Sequence, residues 1–202
     1  MVRRTLSLKT ALIAFAFMIG MTGCTSKSKI MTPDPSEHKT ALKRAEGIPS
    51  MEPGGETEQA ALKRFNEFYA EYSVAAIKAG VREVYAEDAW FGDPFHVVEG
   101  IDDIEHYFLV MAEPVEECTF TVDSMQRSGS DYFSRWTMVL KSKAVKGEPI
   151  RAIGMSHVRY NAEGKIVFQQ DYWDTSVMLD RIPVVGFWTR LVKGRIEKGL
   201  EK

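Results

Sequence analysis

The chain has 202 residues, 45% of them hydrophobic and 27% charged, with 26 basic against 28 acidic side chains and a formal net charge of −2. That length fits one domain better than two, and a balanced charge with no basic stripe interleaved with aromatics excludes a nucleic-acid binder. His96, His106 and His157 show no ligand spacing, so no metal centre is expected.

The chain opens on Arg3, Arg4 and Lys9, followed by an apolar run over residues 10–21. The run is too short for a bilayer that takes about 20 residues, so it reads as an export signal. It ends in Met21-Thr22-Gly23-Cys24, which resembles the bacterial lipobox with Met in place of Leu at its first position. The resemblance implies that residues 1–23 are removed and that Cys24 takes the lipid and becomes the mature N-terminus; an ordinary cleaved signal and an uncleaved anchor are the alternatives. Thr25 rather than Asp after the cysteine resembles Gram-negative lipoproteins of the outer membrane, facing the periplasm. Cys118 is then a thiol without an intramolecular partner, and its alternation with Phe120 and Val122 makes it a small buried hydrophobe.

Residues 24–56 are rich in Ser, Lys, Pro, Gly and Met without a sustained apolar period and read as a tether, with at most a short helical turn over 38–46. Helical spacing begins at Thr57, where Leu62, Phe65, Phe68, Tyr69, Tyr72 and Ala76 share a face, and Gly80 ends it. A second short helix is expected over 81–86. Short paired strands at 89–91 and 96–98 flank a Gly92-Asp93-Pro94 corner, and a helix over 101–111 carries Ile104, Tyr107, Phe108 and Met111 before Pro114 stops it.

Beyond Pro114 the period changes to two. Runs at 115–125, 132–144, 149–160 and 165–176 are joined by turn-forming stretches around Gly129, Gly147 and Gly164. Helices followed by an antiparallel meander make an α+β domain over 57–181. The last segment, 182–202, is an amphipathic basic helix with Phe187, Trp188, Leu191, Val192, Ile196 and Leu200 among Arg190, Lys193, Arg195 and Lys198. Two readings stand: it folds back over the sheet or pocket mouth, the plainer one, or it lies on an anionic membrane surface.

The order of elements and the phrases FGDPFHVVEGIDDIEHYF, SHVRYNAEGKIVFQQDYWD and ML-x-x-IPVVG resemble the SnoaL-like branch of the nuclear transport factor 2 superfamily over about 58–186. The resemblance implies a strongly curved antiparallel sheet wrapped as a cone against N-terminal helices, a cystatin-type roll with a pocket inside. Ketosteroid isomerase, of the same superfamily, pairs an aspartate base with an oxyanion hole of tyrosine and protonated aspartate. Tyr69 and Asp93 fall in register with its tyrosine and base, while Ser156 stands where the protonated aspartate would be. A serine hydroxyl is the weaker acid, so steroid isomerisation is not expected.

Alternation puts Gln169, Asp171 and Trp173 on one face of the last strand, which the resemblance makes the concave face. SnoaL-type cyclases use an aspartate from this region as acid/base, which points to Asp171. The expected site is therefore Asp93 and Asp171 as carboxylates driven apart in pKa, Tyr69 and Ser156 orienting a carbonyl or hydroxyl, and Phe91, Phe108, Gln169 and Trp173 around the ligand, without metal or cofactor. Plain structural roles also fit: Asp93 as a turn carboxylate, Tyr69 as a core tyrosine, Asp171 and Asp174 as ion-pair partners of Arg159 or Arg151. The alternation that turns Ser156 inward sends His157 outward.

Three functions follow from these residues. The domain binds a small hydrophobic molecule in the envelope; or it is a cofactor-independent isomerase, cyclase, dehydratase or hydrolase; or its open sheet face makes a homodimer or docks a partner. A dry pocket containing both Asp93 and Asp171 favours the enzyme, an apolar pocket with those groups neutralised by salt bridges favours the binder, and a filled cone favours the interaction module.

Overall fold

The computed structural model describes residues 35–143 and 145–200, so the leader, Cys24 and the first part of the expected tether lie outside the described residues. Three helices come first, α1 (Pro35–Glu46), α2 (Glu56–Ala70) and α3 (Val74–Val84). Strands β1 (Tyr85–Gly92) and β2 (Val97–Glu99) lead into α4 (Ile101–Ala112). The meander follows as β3 (Val115–Ser128), β4 (Asp131–Ser142), β5 (Val145–Tyr160) and β6 (Ile166–Trp173), then the short α5 (Ser176–Leu179) and α6 (Pro183–Leu200).

The N-terminal region departs from expectation in two places. Residues 35–46, read as part of a tether, are helical and buried on one side through Ala41 and Ala45, and Met51 beyond them is buried too. Two alanines four residues apart present a flat side that docks closely without making an apolar period in the sequence. The helix expected over 57–80 is two helices, because Glu71 is extended and Ser73 caps a new start, its Oγ accepting the Ala76 N–H at 3.2 Å. Tyr72 between them donates its N–H to the Cys118 carbonyl at 2.9 Å, tying the break to β3. The short helix expected over 81–86 is the end of α3 and the start of a longer β1.

The six strands form one open sheet in the order β2-β1-β6-β5-β4-β3. All neighbours are antiparallel except β1 and β6, so the sheet is mixed rather than purely antiparallel. The connection leaving β1 runs through β2, α4 and the first three strands of the meander before β6 returns beside it, long enough for a parallel pair. Register shifts between Val115 and Glu117 and between Val122 and Ser124 bend β3 against β4, and a bent sheet leaves a hollow against α2 to α4. Phe68, Tyr69, Tyr85, Phe91 and Phe108 pack edge to face in that hollow, with Phe65 tilted against Tyr69.

The other face of β1 and β6 is covered by α1. Trp90 and Phe168, cross-strand partners, stack there at 4.9 Å, and His38 of α1 meets both edge-on.

Candidate functional site

Bending leaves a cavity of about 110 Å³ between the concave sheet face and the helices. Its wall carries two carboxylates, Asp93 and Asp171, among aromatic faces and the sulfurs of Met111, Cys118, Met138 and Met178, and among the described residues no Lys, Arg or His lines it.

Asp93 sits where β1 runs out into the proline corner. Its Oδ1 accepts the backbone N–H groups of Phe95 at 2.8 Å and His96 at 2.9 Å, and its Oδ2 accepts the Tyr107 hydroxyl at 2.8 Å. The side chain thus fastens the turn and lines the cavity at once. Burial raises its pKa, and the three accepted hydrogen bonds work against that rise.

Asp171 has a different environment. It lies on β6 opposite Ser156 of β5, and its Oδ1 accepts Gln169 Nε2–H at 2.9 Å. The Ser156 hydroxyl bonds the same carboxyl, and Ser156 Oγ in turn accepts the Trp136 Nε1–H at 2.9 Å. Burial, with a smaller contribution from the charge of Asp93, raises its pKa to about 7 against the pull of Ser156 and Gln169. The alternative role for Asp171, an ion pair with Arg159, does not form: Arg159 holds Asp131 through bonds of 2.6 and 2.9 Å on the opposite face, beside His157. Asp174 accepts the Ser176 N–H instead.

Tyr69 lines the cavity, but its hydroxyl is drawn into a buried ring. It lies 2.5 Å from Tyr85 Oη and accepts Gln169 Nε2–H at 3.0 Å, while Tyr85 donates to Gln169 Oε1 at 2.8 Å. Tyr85 spends its single hydrogen on Gln169, so the Tyr69 hydrogen is the one between the two phenols. Ser156 is likewise behind the cavity wall, oriented toward Asp171. Both residues, expected to orient a substrate, orient Asp171 and its brace. Gln169 is fully buried and serves as that brace, while Phe91, Phe108 and Trp173 face the cavity.

Three contributors were not picked out from the sequence. Tyr107 was visible only as one apolar position of a helix, although a strand-turn-helix of 14 residues returns it to Asp93. Trp136 reaches Ser156 by lying across Gly154, where a Cβ would come within 2.2 Å of the indole; a glycine inside an alternating strand was the available signal. Tyr85 falls within the short helix expected over 81–86 and is instead the first residue of β1. Cys118 is buried, and that burial pushes its thiol up to about 12, the property of an inert wall residue. Among the described residues no group of three or more His, Cys, Asp or Glu is placed to hold a metal ion.

Residues 62–169 match the SnoaL-like domain. No curated protein matches the sequence. A Jannaschia protein provisionally named a SnoaL-like polyketide cyclase superposes with a TM-score of 0.54 at 13% identity, over 65% of this chain and 96% of its own. An epoxide hydrolase of the LEH-like type from M. tuberculosis gives 0.51 at 14% identity, over 70% and 99%. A Catenulispora acidiphila protein with a ketosteroid isomerase-like fold gives 0.52 at 16% identity, over 61% and 92%. At such identities the likeness concerns the fold, an α+β roll with N-terminal helices and an open sheet.

Proposed function

The chain belongs to the SnoaL-like domain family, and we propose that it uses its cavity as a cofactor-independent acid–base enzyme on a small, largely apolar substrate. The observation that carries this is Asp171, an unpaired carboxyl on the wall of an apolar cavity with its pKa raised to about 7. Near neutrality such a group is partly protonated, so one side chain can take a proton from one atom and return it to another. Asp93 and Tyr107 are bonded to each other and Tyr69 to Tyr85, which leaves little donor capacity for a developing oxyanion. Reactions with modest charge build-up, such as proton shifts beside a carbonyl or acid-assisted ring opening, suit that inventory. The volume suits a compact ring with few substituents.

The test is a panel of small cyclic ketones, enones and epoxides incubated in deuterated water, read for deuterium incorporation and ring opening. Turnover by the wild type that falls at least 100-fold in Asp171→Asn, roughly the worth of a general acid or base, supports the enzyme. Saturated hydrogen bonding at Asp93 and Tyr69 favours a second reading, a domain that only binds such molecules. Equal binding by wild type and Asp171→Asn without turnover in either identifies that case.

We also propose that the protein is an envelope lipoprotein. The support is the leader, the lipobox-like end and Cys24. Labelling with a palmitate analogue should mark the wild type and spare Cys24→Ser; equal labelling of both removes the anchor. A homodimer through the outer sheet face is supported by exposed Ile153, Met155 and Tyr172, and sedimentation of Met155→Lys against wild type tests it.

A further inference from the structure

Helix α6 leaves its apolar side chains outside the core. Val184, Trp188, Val192, Ile196 and Leu200 follow one another at four-residue spacing, each between 56% and 81% exposed, and Phe187 stands beside Trp188, also more than half exposed. The helix therefore does not fold its apolar side over the sheet, the plainer of the two readings of this segment. Its base is fixed from the other direction. Asp180 receives Lys193 and Thr189, its carbonyl accepts Arg190, and buried Gly186 packs where a Cβ would come within 2.1 Å of that carbonyl oxygen. The polar contacts clamp the first turns against α5 and hold the apolar row outward.

A row of Trp, Phe, Ile, Leu and Val on a surface calls for an occupant. Charge chooses among the candidates. With Lys193 paired to Asp180, the helix still carries Arg190, Arg195 and Lys198 against Glu197, so a second copy would bring like charge against like charge. Anionic headgroups meet the same basic side chains favourably, because Lys and Arg stems lie along the apolar surface while their heads reach the phosphates. Among the described residues no helix is long and apolar enough to cross a membrane, so the geometry is that of a helix lying on the surface. We propose that α6 is a peripheral membrane-binding helix that seats its apolar row on an anionic lipid surface. The inference rests on neither the cavity chemistry nor lipidation of Cys24.

The experiment uses the full chain with Cys24→Ser, which removes the lipid, and reads Trp188 itself. Vesicles of phosphatidylcholine with roughly one-third phosphatidylglycerol, carrying brominated acyl chains, quench a tryptophan that enters the interface. Trp90 and Trp136 are buried, Trp173 is half-buried at the cavity, and Trp188→Phe supplies the background of all three to subtract. Expected is bromine quenching lost in Trp188→Phe, and binding roughly 30-fold weaker in Arg195→Gln/Lys198→Gln and weaker again in high salt. Absence of Trp188-specific quenching overturns the proposal. So does equal quenching by neutral vesicles, or protection of Trp188 from iodide that rises with protein concentration without lipid, which would assign the row to a second copy.

Discussion

Asp131 and Asp171 are the same residue type in the same sheet, and their cross-strand partners give them opposite character. Asp131 faces Arg159 on the outer side, and Asp171 faces Ser156 on the inner side. Burial pushes both carboxyls up; at Asp131 the hydrogen bonds and charge of Arg159 and His157 outweigh it and the pKa falls, while at Asp171 a hydroxyl and an amide do not and it rises to about 7. Arg159 lies on the strand next to β6, three register rows from Asp171 and on the other face. Keeping Arg159 on the outer face leaves the cavity with an acid that can exchange protons, which is the difference between a structural and a chemical aspartate.

The largest expected effect comes from removing the chemical one. A carboxyl whose folded pKa lies above its unfolded value binds its proton longer in the fold, so stability declines as pH rises from about 4 to about 7 and stays lower beyond. The shift at Asp171 corresponds to about 4 kcal/mol. Asp171→Asn should flatten this decline and melt higher than wild type at pH 8; a wild type equally stable at pH 5 and pH 8 would break the comparison. The raised pKa of Asp93 acts with the same sign, which the double substitution would reveal.

Next is the outer face itself, which the comparison treats as structurally committed. Ala41, Ala45 and Met51 are buried, and α1 covers Trp90 and Phe168, so a chain starting at Glu56 should lose about 3 kcal/mol. The composition of residues 24–56 implies instead that such a chain melts unchanged, and denaturant titration decides. Arg159→Met then asks whether Asp131 can be made to resemble Asp171. The depressed pKa of Asp131 contributes stability that is present above the unfolded value near 4 and lost as pH falls through the folded one, so the variant should be about 2 kcal/mol less stable at pH 7, a gap that narrows as pH falls below 4 and closes only once the folded carboxyl is itself protonated. The cost stays below that of a fully buried pair because a quarter of the Asp131 side chain is exposed, at 25%.

These contrasts also mark what the sequence could display. The meander was legible because alternation persists from 115 to 173, and the same alternation put Gln169, Asp171 and Trp173 on one face and His157 on the other. Contacts between elements were not. Nothing local distinguishes Arg159 pairing with Asp131 from Arg159 pairing with Asp171, since both acids lie on neighbouring strands and the choice is made by register and face, which put Asp131 directly opposite Arg159 and Asp171 three rows away on the other side. The parallel β1–β6 pair joins residues about 80 positions apart through a run whose length, not its pattern, permits it. In α1 the docking side is made of alanines, which weigh too little in any apolar period to announce a packed helix.

The smallest effect tests the link on which the inner half of the comparison depends. Ser156 Oγ accepts the Trp136 indole N–H and the hydroxyl bonds Asp171, so Ser156→Ala removes a donor to the carboxylate and strands a buried N–H. The expected loss of stability is about 1 kcal/mol, the low end for a buried N–H left without its acceptor. Its direction on Asp171 is the sharper result. Because the Ser156 bond favours the ionised form, its removal should move the titration midpoint of Asp171 upward from about 7, followed as the carboxyl infrared band of wild type minus Asp171→Asn. The window in which stability falls with pH should lengthen at its alkaline end by the same amount. A midpoint that stays in place would mean the hydroxyl serves Trp136 alone, and a midpoint that drops would mean Ser156 favours the protonated acid. In either case the partner across the strand would not be what sets Asp171 apart from Asp131.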